Sequence, residues 1–348
     1  MLRRLLAVTF VLATSAQAAT INAAAGHSAA QPMNPARVDI EKSYRDIPAP
    51  PGSFVFVPSG TFTMGDGLVA CGWDEHQVTL THDFWISQYE VTNQEYMDLV
   101  QWAYDQGYVT ATSWSVRDNL DGSTEELVDL DDSDCELAFS NGVFSLRESN
   151  YALRYAYQGG YDPADHPMKE VTWYGAVAYC DWLSLSEGLT RAYDHSTWLC
   201  GGGDPYSAEG YRLPTDAEWE YAAQWNDEQI YPWGNETPQE CVHANYGFDC
   251  VSWSSPVGSY PAGVQPNLSD PIYDLAGNVW EWANDWWQCD LGTSPEIDPP
   301  GPASDSHRVI RGGGWNHYAS TLRVSFRNAL SSGGSFSELG IRPVRSDS

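Results

Sequence analysis

The sequence predicts a single α+β domain, low in regular secondary structure and wrapped around aromatic anchors. Three segments open with helix N-terminal signals, at Thr92, Thr172 and Thr215. The stretches between them are short, strand-like and broken by Gly, Pro and Asn turns. The chain also holds 30 Gly, 21 Pro and 16 Trp, which suits irregular backbone packed on large indoles better than long helices. No internal repeat is visible.

Residues 1–18 read as a secretory signal. Arg3 and Arg4 precede the apolar run from Leu5 to Ala13, and Ala16-Gln17-Ala18 offers a small-residue cleavage site. That run is too short to span a bilayer, and no later run of about 20 apolar residues follows. The mature chain is therefore expected without a membrane span, secreted or periplasmic. Residues 19–50, rich in Ala, Pro and small polar groups, read as a flexible lead-in to a folded body over residues 51–348.

The body opens with a strand at Phe54-Val55-Phe56-Val57, turns at Ser59-Gly60 and continues with a short strand at Phe62-Thr63-Met64-Gly65. Thr92 caps the first helix, with Glu95 completing a capping box and Tyr96, Leu99, Val100 and Ala103 forming its apolar stripe. Thr172 caps the second, whose apolar face is Trp173, Ala176, Val177, Cys180 and Leu183. Thr215 starts the third after Leu213-Pro214, with Glu218 as its box partner. Residues 105–165 differ in composition. Their acidic stretch from Asp118 to Asp134 lacks the spacing and glycine of an EF-hand, so it reads as a solvated surface hairpin or insertion.

With 47 acidic against 17 basic residues the net charge is −30, which repels nucleic acid and anionic membrane and favours cations. The seven cysteines are Cys71, Cys135, Cys180, Cys200, Cys241, Cys250 and Cys289. An oxidising address favours pairing. Cys241 and Cys250 bracket a short loop and make the best pair, while Cys180 sits on a helix face where cysteine packs as a small hydrophobe and is expected free. No Cys-x-x-Cys spacing points to a zinc knuckle.

One further pattern is specific. Arg311-Gly312-Gly313-Gly314-Trp315-Asn316-His317, then Leu322-Arg323 and Gly340-Ile341-Arg342-Pro343, resembles the C-terminal signature of the formylglycine-generating enzymes, or sulfatase-modifying factors. Glu90-Val91-Thr92-Asn93, His166-Pro167-Met168, the line from Tyr211 to Ala223, Trp233-Gly234-Asn235 and the line from Asp274 to Trp282 resemble the same family in order. The resemblance covers about residues 52–346. It implies a C-type-lectin-like formylglycine-generating-enzyme fold, braced by calcium.

The same resemblance implies two structural calcium sites. One maps onto the Asn245 and Asp249 side chains with the Tyr246 and Val251 carbonyls. The other maps onto the Asp274 and Glu281 side chains with the Gly277 and Val279 carbonyls. Mixed carboxylate, amide and carbonyl oxygens suit a hard cation that takes 6–8 ligands. In the family's oxidases two cysteines bind copper(I) and convert a substrate cysteine to formylglycine. Here His317 and Leu322 stand at those positions, and Gly314 replaces a serine. Imidazole beside leucine is not a soft copper(I) pair, so copper is not expected. A related branch uses non-haem iron held by histidines, so iron stays open, although His76 and His82 have the wrong spacing for a helical pair and His166, His195, His243, His307 and His317 are scattered. A pyoverdine-maturation branch, without the copper pair, keeps oxidative tailoring open as well.

No Gly-x-Ser-x-Gly elbow, phosphate loop or dinucleotide fingerprint occurs. Two readings remain. The first is a calcium-stabilised binding or structural module for a peptide, protein or small-molecule ligand, with Trp315 and Tyr318 as candidate pocket walls or, equally, core residues. The second is an oxidoreductase acting on a peptide or small metabolite. The first is favoured because the cysteine pair is replaced.

Overall fold

The computed structural model describes residues 53–68, 75–158, 160–224, 229–248, 250–262, 268 and 270–347. The signal and lead-in expected over residues 1–50 lie outside the described residues, as do Cys71 and Asp249.

Three α-helices form where the caps predict them. Helix α1 spans Asn93–Gln106, and Thr92 and Glu95 close a reciprocal capping box at its start. Its buried stripe is Asn93, Tyr96, Val100 and Ala103, and it stops at Gly107, whose φ of 77° is the left-handed conformation that ends helices. Helix α2 spans Trp173–Ser186 behind the Thr172 cap. It is buried almost all round rather than on one face, because Gly175 lets it sit directly on the strand Glu126–Asp129. A Cβ at Gly175 would lie 2.1 Å from the Leu127 carbonyl oxygen. Helix α3, Asp216–Ala223, opens with the Thr215–Glu218 box.

The strands are short, as the turn residues dictate. An antiparallel sheet runs in the order Phe54–Val57, Phe84–Ser87, Val344–Ser346 and Tyr211–Arg212, and so pins the C-terminal strand between an early and a middle segment of the body. A second sheet runs Asn328–Ser331, His307–Arg311, Trp280–Trp286 and Leu339–Gly340, its last pair parallel. A third carries the hairpin Gly60–Met64 and His76–Leu80, with Glu296–Ile297 parallel to the latter.

Large indoles anchor the core. One cluster gathers Tyr96, Trp173, Trp182, Tyr211, Trp282 and Ile341; a second gathers Phe62, Val78, Phe84, Ile86, Trp219 and Val344. Burying such side chains is worth about 1.5–3 kcal/mol each, and this is what holds a backbone with so few long elements.

The acidic segment is more than a solvated hairpin. Val109–Ala111, Ser115–Asp118 and Glu126–Asp129 form a small antiparallel sheet, followed by the hairpin Leu137–Ser140 and Val143–Leu146. Val116, Leu127, Val128, Cys135 and Leu137 from this segment are fully buried in the first cluster. Its aspartates close turns: Asp129 Oδ1 accepts the Asp131 N–H, and Asp132 Oδ1 accepts the Asp134 N–H. Charge density made the segment look peripheral, whereas its apolar alternation sends it inward.

Candidate functional site

Buried ion pairs fix the motif residues. Arg212 binds Glu218 through both terminal nitrogens, at 2.6 and 2.8 Å. Arg311 holds Asp216 at 2.5 Å and Glu220 at 2.9 Å, and Arg342 meets Glu281 at 2.7 Å. All seven side chains are almost fully buried, so each charge depends on its partner and no member can be removed cheaply. These contacts tie α3, the strand Trp280–Trp286 and the C-terminal signature into one rigid unit.

The signature loop rests on two other loops. Trp315 donates its backbone N–H to the Asn278 carbonyl, and Gly247 donates to the His317 carbonyl, both at 2.8 Å. At the first family cysteine position, His317 is half-buried, and its Nδ1 accepts the Trp280 indole N–H at 3.3 Å. Burial lowers its pKa, with Glu338 opposing, so the ring is a neutral imidazole whose remaining proton lies on Nε2. At the second position Leu322 is 1% exposed and packs with Ala244, Tyr246 and Ala276.

The third departure has a steric reason. A Cβ on Gly314 would lie 2.9 Å from Glu338 Cβ and 3.2 Å from Trp280 Cδ1. Glu338 occupies the place that a serine side chain would need. Its role was not readable from sequence, since it stands 24 positions from Gly314. Of the two aromatics read as pocket wall or core, Trp315 is buried against Trp253 and Tyr151, while Tyr318 is 77% exposed.

The two sets of expected calcium ligands lie against each other. The Asn278 N–H donates to the Asn245 carbonyl at 2.8 Å. Asn245 is fully buried; its amide nitrogen donates to the Trp253 carbonyl, and its Oδ1 has no hydrogen-bond partner among the described residues. Tyr246 is buried, Val251 is half-buried, and Asp249 is not described. In the second set, Asp274 accepts the N–H groups of Gly258 and Tyr260 at 2.6 and 3.0 Å. The Gly277 N–H donates to the Gly312 carbonyl, and the Val279 N–H donates to Glu90. Glu281 accepts from Arg342 and from the Trp219 indole at 2.6 Å.

Glu90 was missed as a site residue, although it heads a motif block. It is buried, accepts the Asn278 amide at 2.6 Å and lies close enough to Asp274 and Glu281 to feel both charges. Burial, then these neighbours, push its pKa well up; burial likewise pushes Asp274 to about 7. Three carboxylates thus share one guanidinium, that of Arg342.

The remaining metal-capable side chains are dispersed. His166 meets Ser254, His195 lies between Asp118 and Asp181, His82 meets Glu218 and Asp298, and His307 is exposed. His243 stacks on Trp233. Among the described residues no group of three or more His, Cys, Asp or Glu side chains is arranged to hold a metal ion. A site built half from carbonyl and amide oxygens, as expected for calcium, is not addressed by side-chain convergence of that kind. Cys241 and Cys250 form a disulfide with Cα atoms 5.3 Å apart. Cys135, Cys180 and Cys200 are free and buried, and burial pushes the Cys135 and Cys200 thiols up to about 12 and Cys180 well above its usual value.

Comparison with known proteins places this geometry. The family described as "Sulfatase-modifying factor enzyme 1-like domain" matches residues 41–347. The formylglycine-generating enzyme of Bos taurus is 29% identical over 319 residues, covering 85% of this chain and 75% of that one. The hercynine oxygenase of Mycolicibacterium thermoresistibile is 33% identical over 177 residues, covering 48% of this chain and 33% of that one. Among solved structures, Treponema denticola variable protein 1 superposes with a TM-score of 0.56 at 24% identity, over 84% of this chain and 94% of that one, a likeness of fold. The fold is the mixed α+β, C-type-lectin-like one.

Proposed function

The chain belongs to the sulfatase-modifying factor family, and from that premise we propose that it is a secreted, calcium-braced binding module without copper-dependent formylglycine-generating activity. The observation that carries this reading is the pairing of Trp280 with His317, together with the burial of Leu322. A copper(I) site of the family's kind needs two thiolates facing one metal. Here one position offers a neutral imidazole whose Nδ1 is taken, and the other offers an aliphatic side chain inside an apolar cluster. The free thiols do not substitute, because burial keeps Cys135, Cys180 and Cys200 protonated. The donor set does not fit copper.

The calcium half of the proposal rests on chemistry left incomplete without a cation. A buried amide oxygen at Asn245 without a partner costs about 1–3 kcal/mol. A divalent cation beside Glu90, Asp274 and Glu281 would balance the charge that Arg342 alone does not. Asn245 would hold the first ion, and Asp274 the second with the Gly277 and Val279 carbonyls. Glu281 is the weakest member, since Arg342 and Trp219 already claim its oxygens.

A second reading, oxidation of a peptide or small metabolite, is favoured by the relative named as an oxygenase. It requires a metal centre from groups that are here dispersed. Elemental analysis of the purified mature protein separates the two. Calcium without stoichiometric copper or iron supports the binding module, and one equivalent of either redox metal supports the enzyme.

A further inference from the structure

A cavity of about 320 Å³ opens beside the first residues of α3, apart from the Trp280–His317 site. Met64, Ala217, Trp286 and Leu291 form apolar parts of its lining, and its titratable groups are His76, Asp216, Asp285, Glu296 and Arg327. Asp285 is only 5% exposed. Its Oδ2 accepts the Asp216 N–H at 2.9 Å, and no hydrogen bond reaches Oδ1 among the described residues.

Besides the solvent-exposed Glu296 and the buried His76, the charges in the wall are already matched. Asp216 is held by Arg311 at 2.5 Å and by Arg327 at 2.6 Å, and Arg311 also holds Glu220 at 2.9 Å. Arg327 further donates to the Gln288 carbonyl at 2.9 Å and lies 4.7 Å above the Trp287 ring. Two guanidinium groups therefore face two carboxylates, and Asp285 is the buried carboxylate left over.

We infer that this cavity binds a compact organic cation, a primary ammonium on a short apolar body, whose charge Asp285 meets. The alternatives fit less well. A metal ion such as calcium wants 6–8 oxygens, and the cavity supplies one buried uncommitted carboxylate, with Glu296 exposed to solvent. An anion would find Arg327 already neutralised. A sugar would need several free, convergent polar groups. An ammonium needs one buried anion beside apolar surface, and Asp285 with Met64, Ala217, Trp286 and Leu291 supplies both. Burial, then the Asp216 charge, push the Asp285 carboxyl up to about 7, so an arriving cation would draw a proton off it. This inference does not rest on the calcium-braced binding reading.

The test is isothermal titration calorimetry of the full mature chain with n-butylammonium, and with n-butanol and butyrate as neutral and anionic matches. Butylammonium is expected to bind at least about tenfold more tightly than butanol, and butyrate not at all. Titrations near neutral pH, in buffers of different ionisation enthalpy, should reveal a released proton. The Asp285→Asn variant keeps an acceptor for the Asp216 N–H and should lose at least about tenfold in ammonium affinity, together with the proton release. If that variant does not fold, the wild type decides the matter: its ammonium affinity should rise at least about tenfold from about pH 5.5 to about pH 8. Equal binding of butanol, no binding of butylammonium, or affinity independent of both pH and Asp285 overturns the inference.

Discussion

The Trp280 indole N–H donates to His317 Nδ1 across 3.3 Å, with the two rings nearly perpendicular at 87°. This contact fixes the imidazole where the family's first copper-binding cysteine would stand. It turns one ring nitrogen into an acceptor for protein and leaves the other as a donor. The mature protein, incubated with copper(I), oxygen and a sulfatase-type Cys-x-Pro-x-Arg peptide, is expected to leave the cysteine unconverted. Mass spectrometry of the peptide reads the outcome, and copper-dependent loss of sulfur with gain of oxygen would refute it. The double variant His317→Cys and Leu322→Cys is expected to gain copper binding but little turnover, because Glu338 still fills the space beside Gly314.

Calcium is expected to stabilise the fold. Binding to the native state alone contributes about 2.7 kcal/mol at a hundred times the dissociation constant. For a domain of this size that amounts to several degrees in melting temperature, lost on addition of a chelator. Asn245→Ala should shrink the calcium-induced increment by removing the unpartnered Oδ1. The increment is the quantity to compare, since the Asn245 amide also supports the Trp253 carbonyl. Glu281→Gln is a poorer probe because it also weakens the Arg342 pair. Identical melts with and without chelator would sink the idea.

A pH effect follows from His195. Its Nδ1 lies 2.8 Å from Asp118 and its Nε2 lies 3.0 Å from Asp181, all three side chains buried. Burial by itself would lower the imidazole pKa, but two carboxylates outweigh it and raise it to about 9. Burial also raises Asp181, so the cluster as a whole holds its proton tightly. The stabilisation, roughly 3 kcal/mol, is fully present below the unfolded value of about 6.5 and is lost as pH rises through about 9. Denaturant unfolding between those pH values should show a declining stability that His195→Gln flattens. A wild-type slope no steeper than that of the variant is the contrary result.

The thiol chemistry is also testable. Peptide mapping without reduction should link Cys241 to Cys250, and closing a loop of 9 residues is worth about 2–3 kcal/mol in the chain-entropy account. Cys135, Cys180 and Cys200 should resist alkylation in the native protein and react together on unfolding, because they are buried with raised thiol pKa values. Rapid labelling of any of the three in native buffer would contradict the placement.

Local chemistry was legible in the sequence, because its partners lie within a few residues. The boxes Thr92–Glu95 and Thr215–Glu218 announce their helices, since each pair of cap bonds spans three positions. Cys241 and Cys250 are close along the chain and so could be paired by eye. The ordered motif blocks, from Glu90-Val91-Thr92-Asn93 to Gly340-Ile341-Arg342-Pro343, spoke for the family. Only the tertiary structure decided which side chains spend their charge on one another. Glu281 and Arg342 are 61 residues apart, and His195 reaches Asp118 across 77. Glu338 and Gly314 compete for one volume although no spacing rule connects them, and Asp285 is left without a cation because Asp216 takes both arginines. The physical reason is the same in each case. Caps, turns and short loops are decided by bonds within one or two turns of chain, whereas the worth of a buried charge depends on which distant group the packing brings within about 3 Å.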